Sequence, residues 1–300
     1  MTLQQLRYVV AVAEKGTISE AAKELFISQP SLTNAIKDLE KEMQITIFNR
    51  TNKGVVISSE GDVFLGYARQ VLEQADLLEE KYLHTKEPSP RFAVSCQHYS
   101  FAVNAFVDVI REFGGNKYDF TLRETQTYEI IEDVSRLKSE IGILYTSSSN
   151  QEIIMKLIRQ NGLKFEELFL AKPHVFISSR HPLAFEACLT MEDLEEYPYL
   201  SFEQGEYNSF YFSEEILSTL DRRRNIKVRD RATLFNLVIG LNGYTVSSGV
   251  ISPELNGENI IAKPLLVDEY MRIGTITQKN MTLSRYGKAY MEALQKHLHI

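Results

Sequence analysis

Ser28-Gln29-Pro30-Ser31-Leu32-Thr33-Asn34-Ala35-Ile36-Lys37-Asp38-Leu39-Glu40 is the stretch on which the fold turns. Leu32, Ile36, Leu39 and Met43 recur at steps of four, three and four, the spacing of one buried helical stripe. Ser28 suits the cap of that helix, and Pro30 falls in its first turn, where a missing N–H costs nothing. Pro30, Thr33, Asn34 and Lys37 lie on the opposite side, with Gln29 and Ser31 at an exposed tip. A short polar tip that donates and accepts hydrogen bonds is what a helix entering a DNA major groove requires. An ordinary amphipathic helix with a solvated face has the same pattern, so the neighbouring residues must decide.

Leu3, Leu6, Val9, Val10 and Ala13 mark an earlier helix ending near Gly16. Thr17-Ile18-Ser19-Glu20 has the form of a capping box and opens a helix whose Ile18, Ala21, Ala22 and Leu25 make a narrow buried face. Only Phe26 to Ser28 separate it from the quoted helix, which matches a helix-turn-helix. Downstream, Asn52-Lys53-Gly54 between the runs at Ile45–Phe48 and Val55–Ile57 signals a hairpin. A hairpin there is a wing, and Arg50 and Lys53 place cations where a DNA backbone would run; solvated surface charge is the competing reading. Ser58-Ser59-Glu60-Gly61 then opens a long helix to about Lys86. Its Phe64, Ala68, Val71, Ala75, Leu78 and Tyr82 step by four, three, four, three and four, so pairing with a second copy is expected. Packing of that stripe against its own domain is the alternative.

The length of 300 residues allows two or three cores, and 44% hydrophobic with 24% charged residues is ordinary globular composition. No apolar run reaches membrane-spanning length and no signal-peptide pattern opens the chain, so the expected location is cytoplasmic. Cys96 and Cys188 make no CxxC and no disulfide framework. The net charge of −7 argues against nucleic acid until its distribution is read. Residues 1–60 hold seven basic and seven acidic side chains, so the whole excess lies downstream. A neutral DNA-binding segment needs several contacts at once.

Pro88-Ser89-Pro90 reads as a linker, and α/β texture follows it. Strands are expected at Phe92–Ser95, Tyr118–Arg123 and Ile141–Tyr145, with helices at Phe101–Phe113 and Tyr128–Leu137. A second series begins near Phe169, with strands at Val175–Ser178, Pro198–Ser201 and Tyr244–Val246 and helices at about Phe210–Leu220 and Ala232–Leu241.

With Leu6-Arg7-Tyr8, Ala21-Ala22, Ser28-Gln29-Pro30-Ser31-Leu32, Leu39-Glu40, Phe48-Asn49-Arg50, Ile57-Ser58-Ser59-Glu60-Gly61 and His181-Pro182-Leu183-Ala184 in place, the chain resembles a LysR-type transcriptional regulator along its length. The resemblance implies an α/β multidomain protein. Residues 1–58 would form a winged helix-turn-helix and 59–87 a long dimerising linker helix. Residues 88–300 would form a two-lobed, periplasmic-binding-protein-like α/β effector domain. Lobe one would take about 91–163 and 268–300, and lobe two about 164–267. It further implies tetramers built as dimers of dimers on double-stranded DNA, a small-molecule effector between the lobes, and contacts with RNA polymerase. Ser28, Gln29, Pro30, Ser31, Thr33, Asn34 and Lys37 would face DNA, with Arg50 and Lys53 on backbone or minor groove. Asn34 stands where the family usually has arginine, which shifts the readable base toward adenine.

In such an architecture a ligand lies at strand ends and helix starts, where free N–H groups favour anions. The matching residues are Gln97, His98, Tyr99 and Ser100, then Thr125, Gln126 and Thr127, then Tyr145 and Thr146, with Ser201, Phe202 and Ser247 from lobe two. Hydroxyls and amides dominate, with His98 the one cation candidate, which suits a small polar or anionic metabolite. Ordinary loop polarity is the bland alternative for each of these singly. No metal-ligand spacing occurs among His84, His98, His174, His181, His297 and His299, and no cofactor motif is present. Two competing readings remain. One is a small-molecule-binding protein whose N-terminal helices merely dimerise; the other is an enzyme using Cys96 as nucleophile and His98 as base.

Overall fold

Local capping chemistry sets the first three helices of the computed structural model, which describes residues 1–51, 54–82, 91–115, 117–205, 209–252 and 257–298. Lys53, the Pro88–Pro90 linker, His84 and His299, and the side chain of Tyr82, lie outside the described set. Residues Met1–Pro88 and Ser89–Ile300 form two separate units.

In the first unit, helix α1 spans Leu3–Lys15, α2 Ile18–Glu24 and α3 Gln29–Met43. The reciprocal capping box is at α1, between Thr2 and Gln5. At α2 only half of the expected box forms, Thr17 accepting from the Glu20 N–H. Leu32, Ile36 and Leu39 are buried as their spacing predicts. Met43, at the last turn, is 38% exposed, and Ile47 and Phe48 enter the core instead. Strands β1 (Phe48–Thr51) and β2 (Gly54–Ile57) pair antiparallel as the wing. Gly54, at φ 137, backs onto the Gly16 carbonyl, where any Cβ would collide, so the wing presses against the turn between α1 and α2.

Helix α4 (Ser59–Tyr82) packs along α1. That contact takes Phe64 and Ala68 out of the expected pairing stripe. Ala68 is buried and Phe64 packs into the domain's own core beside Leu65, because α1 covers that face. Arg7 reaches across to Asp76 at 2.9 Å. Among its described side chains, the large apolar ones left exposed are Val63, Tyr67, Val71 and Leu78.

In the second unit, β3 (Arg91–Cys96), β4 (Asp119–Glu124), β5 (Ile141–Thr146), β6 (Leu163–Ala171) and β12 (Met271–Gln278) make a five-stranded sheet in the order β4-β3-β5-β12-β6. The first three run parallel and β12 runs antiparallel to both its neighbours. Helices α5 (Ser100–Phe113), α6 (Thr127–Ser135), α7 (Gln151–Gln160) and α9 (Arg285–Lys296) accompany this sheet. The second lobe holds β7 (His174–Ser178), β10 (Thr245–Ser247) and β11 (Ile260–Pro264) in one antiparallel sheet, order β10-β7-β11. It also holds the parallel pair β8 (Tyr199–Phe202) and β9 (Asn225–Val228), joined toward β10 by a Tyr199–Tyr244 bridge, and helix α8 (Arg231–Leu241).

Two expectations need correction. Since β6 pairs with β12 over its length, the first lobe continues to Ala171 and the second begins near His174, later than residue 164. The helix expected at Phe210–Leu220 is a single 3-10 turn, Phe210–Phe212, followed by irregular chain. Leu217 sits at φ 61, which no α-helix accommodates, and the Glu214 and Glu215 side chains are anchored to strand and loop rather than facing solvent.

Candidate functional site

The polar tip is built as its composition predicts. Ser28 caps α3: its Oγ accepts from the Ser31 N–H at 3.3 Å and lies 2.7 Å from the Ser31 hydroxyl. Ser28, Gln29, Pro30, Ser31, Asn34 and Lys37 are exposed and Thr33 is half-buried, so one continuous polar strip leaves the domain. Arg50 is exposed on β1. Two contributors escaped the pattern reading. Glu40 Oε1 accepts the N–H groups of Ile47 (2.7 Å) and Phe48 (3.0 Å), which fixes the wing to the end of α3. Phe26, in the turn before α3, is 95% exposed at φ 54. An exposed large apolar side chain beside a polar tip is a signal that only coordinates reveal.

In the second unit the two lobes meet at a small cleft of about 30 Å³, room for a water or two. His98, Tyr99, Phe202 and Ser247 line it, as the sequence suggested. Phe176, Glu214, Glu215, Arg231 and Phe235 line it too, and no local motif announced them. His98 is therefore not the sole cation candidate: Arg231, at the start of α8, pairs with Glu124 of the first lobe. The His98 ring stacks flat on Phe202 with centroids 3.7 Å apart. Beneath it, fully buried Gln97 accepts from the Tyr145 N–H and the Tyr99 hydroxyl, both at 3.0 Å, and donates to Thr127 Oγ1 at 2.6 Å. The Thr127 hydroxyl donates in turn to the Phe212 carbonyl at 2.7 Å, across the lobes, and Ser100 reaches the Val250 carbonyl at 3.4 Å.

Other expected positions fall elsewhere. Ser201 lines a second cavity, of about 210 Å³, with Tyr199, Asn225 and Lys227, and Phe202 and Glu215 border both this cavity and the cleft. Thr125 is engaged with Glu129 in the first turn of α6, and Gln126 lies against Gly205. Thr146 is buried and its hydroxyl has no hydrogen-bond partner among the described residues. The nucleophile reading fails on geometry. Cys96 is wholly buried, and burial pushes its thiol up to about 12, while His98 Nδ1 is engaged by Glu214 at 2.8 Å.

A family model described as bacterial regulatory helix-turn-helix protein, lysR family, matches residues 3–62, and the LysR substrate binding domain model matches residues 85–299. The chain is 26% identical to the HTH-type transcriptional regulator AlsR of Bacillus subtilis (strain 168) over 253 residues, 83% of this chain and 78% of that protein. It is 24% identical to the regulator CzcR of Bacillus thuringiensis subsp. konkukian over 310 residues, 100% and 99% of the two chains. Among solved structures, a cysteine-to-aspartate form of full-length OxyR from Pseudomonas aeruginosa matches with a TM-score of 0.70 at 20% identity, covering 98% of both chains. Full-length CbnR complexed with its target DNA matches with a TM-score of 0.58 at 17% identity, covering 99% of this chain and 100% of that one. At these identities the structural likeness speaks for the fold.

Proposed function

The chain belongs to the LysR family of bacterial helix-turn-helix regulators and is a DNA-binding transcriptional regulator rather than an enzyme, and from that premise we propose how its residues divide the work. Gln29, Pro30, Ser31, Thr33 and Asn34 read base edges in a major groove, with Ser28 at the helix cap. Lys37, Arg50 and Lys53 hold phosphates. Two copies pair through α4, and two such dimers bind an interrupted site together. A small polar or anionic metabolite acts between the lobes and alters the assembly's contacts with DNA and RNA polymerase.

The observation that carries this reading is the polar strip from Ser28 to Lys37, exposed but for half-buried Thr33, on a helix whose opposite side buries Leu32, Ile36 and Leu39. Apart from the Ser28 cap, none of those side chains belongs to the domain's core as described. Ser31→Arg places a long cation at the tip and should abolish footprints on specific sites while leaving the fold, read by circular dichroism, intact. Retained footprints at unchanged protein concentration would overturn the assignment of α3 as the reading helix.

A further inference from the structure

The backbone N–H groups of His98, just before α5, and Thr127, at the start of α6, are both taken by side-chain oxygens of the chain itself. At the start of α5, the His98 N–H donates to Glu214 Oε2 at 3.1 Å, and Nδ1 of the same residue lies 2.8 Å from that oxygen. Glu214 Oε1 accepts from Gln204 Nε2 at 3.3 Å. Gln204 Oε1 in turn accepts the Thr127 N–H, at the start of α6, at 3.1 Å. The His98 and Glu214 side chains are only 5% and 6% exposed, although their residues belong to different lobes. The neighbouring Glu215 accepts the Phe202 N–H at 2.8 Å, and burial, with the Glu214 charge second, pushes its carboxyl well above the usual range.

The segment that presents Glu214 is irregular chain, with Leu217 at φ 61, so the side chain is delivered by a turn and not by a helix. Withdrawing it breaks three hydrogen bonds and unwinds no element. We propose that His98 N–H, His98 Nδ1 and Gln204 Nε2 form a carboxylate receptor that the chain fills with its own Glu214, which clamps the lobes shut, and that an external carboxylate enters only by displacing that side chain. This rests on the interlobe reading above, yet it concerns the seat alone and is testable without DNA.

In the full-length chain, Glu214→Ala empties the seat and leaves room for acetate or propionate. The variant should melt roughly 2–4 °C lower than the parent. Propionate should restore that loss saturably, while the parent should respond no more than it does to matched chloride. Equal responses of variant and parent, or no response of either, would overturn the proposal. Glu214→Asp covers the case in which the alanine variant does not fold. It keeps the carboxylate but is one methylene too short to reach His98, so amide exchange at 98–102 and at 127–131 should quicken by about tenfold, with 1–82 unchanged. Unchanged exchange there counts against the clamp. Lost footprints with intact rescue would indict the DNA reading, and intact footprints without rescue would indict this one.

Discussion

Glu215 is the residue at which burial and charge work most directly against each other. Its carboxyl is 2% exposed, and desolvation with the nearby Glu214 charge raises its pKa in the folded chain. In the unfolded chain the same group titrates in the ordinary carboxylate range, so between those two values the folded state binds more protons. Stability is therefore fully present below the ordinary carboxylate value and falls as pH rises toward the raised one. Glu215→Gln keeps the shape and the acceptor for the Phe202 N–H while removing the titration. Melting curves of that variant should be flatter with pH than those of the parent, with the variant relatively more stable at pH 8 than at pH 5. A parallel pair of curves would show that Glu215 ionises normally in the folded protein.

At the level of elements, α4 joins two jobs on two faces. Phe64, Leu65 and Ala68 are committed to α1, whereas Val63, Tyr67, Val71 and Leu78 face outward, at 61%, 65%, 42% and 62% exposure. If a second copy covers that outward face, Leu78→Asp and Val63→Asp should each yield folded monomers by light scattering. Phe64→Asp should instead destabilise the domain itself, because it buries a charge in the core. A dimeric mass in both outward variants would remove α4 from the interface. The contrast also shows what the sequence can disclose. The helical period of α4 was legible, but a four-three repeat does not say which of two adjacent stripes a neighbouring helix will cover. The caps and stripe of α3 were legible because every partner lies within a few residues. The Glu214 seat was not, since its two sides are 116 residues apart and the turn between Phe212 and Leu220 has helix-like apolar spacing.

For the whole molecule the question is how a chain of net charge −7 holds a polyanion. Residues 1–60 contribute no net charge, so attraction must come from the few cations placed at the surface that meets DNA, with the acidic remainder suppressing binding elsewhere. If Lys37, Arg50 and Lys53 each hold a phosphate, as proposed, a subunit makes three such contacts and a dimer six. Each contact releases counterions, so log K should fall against log salt with a slope of roughly −5 for the dimer. Arg50→Ala removes two of the six and should weaken that slope by about 2, with little change in which sequences are preferred. Asn34→Arg should do the reverse, changing base preference because it alters the reading strip itself. A slope near zero would mean that the exposed cations are not on DNA. A slope unmoved by Arg50→Ala would mean that the wing, though packed firmly against Gly16 and tied to Glu40, points its cation elsewhere.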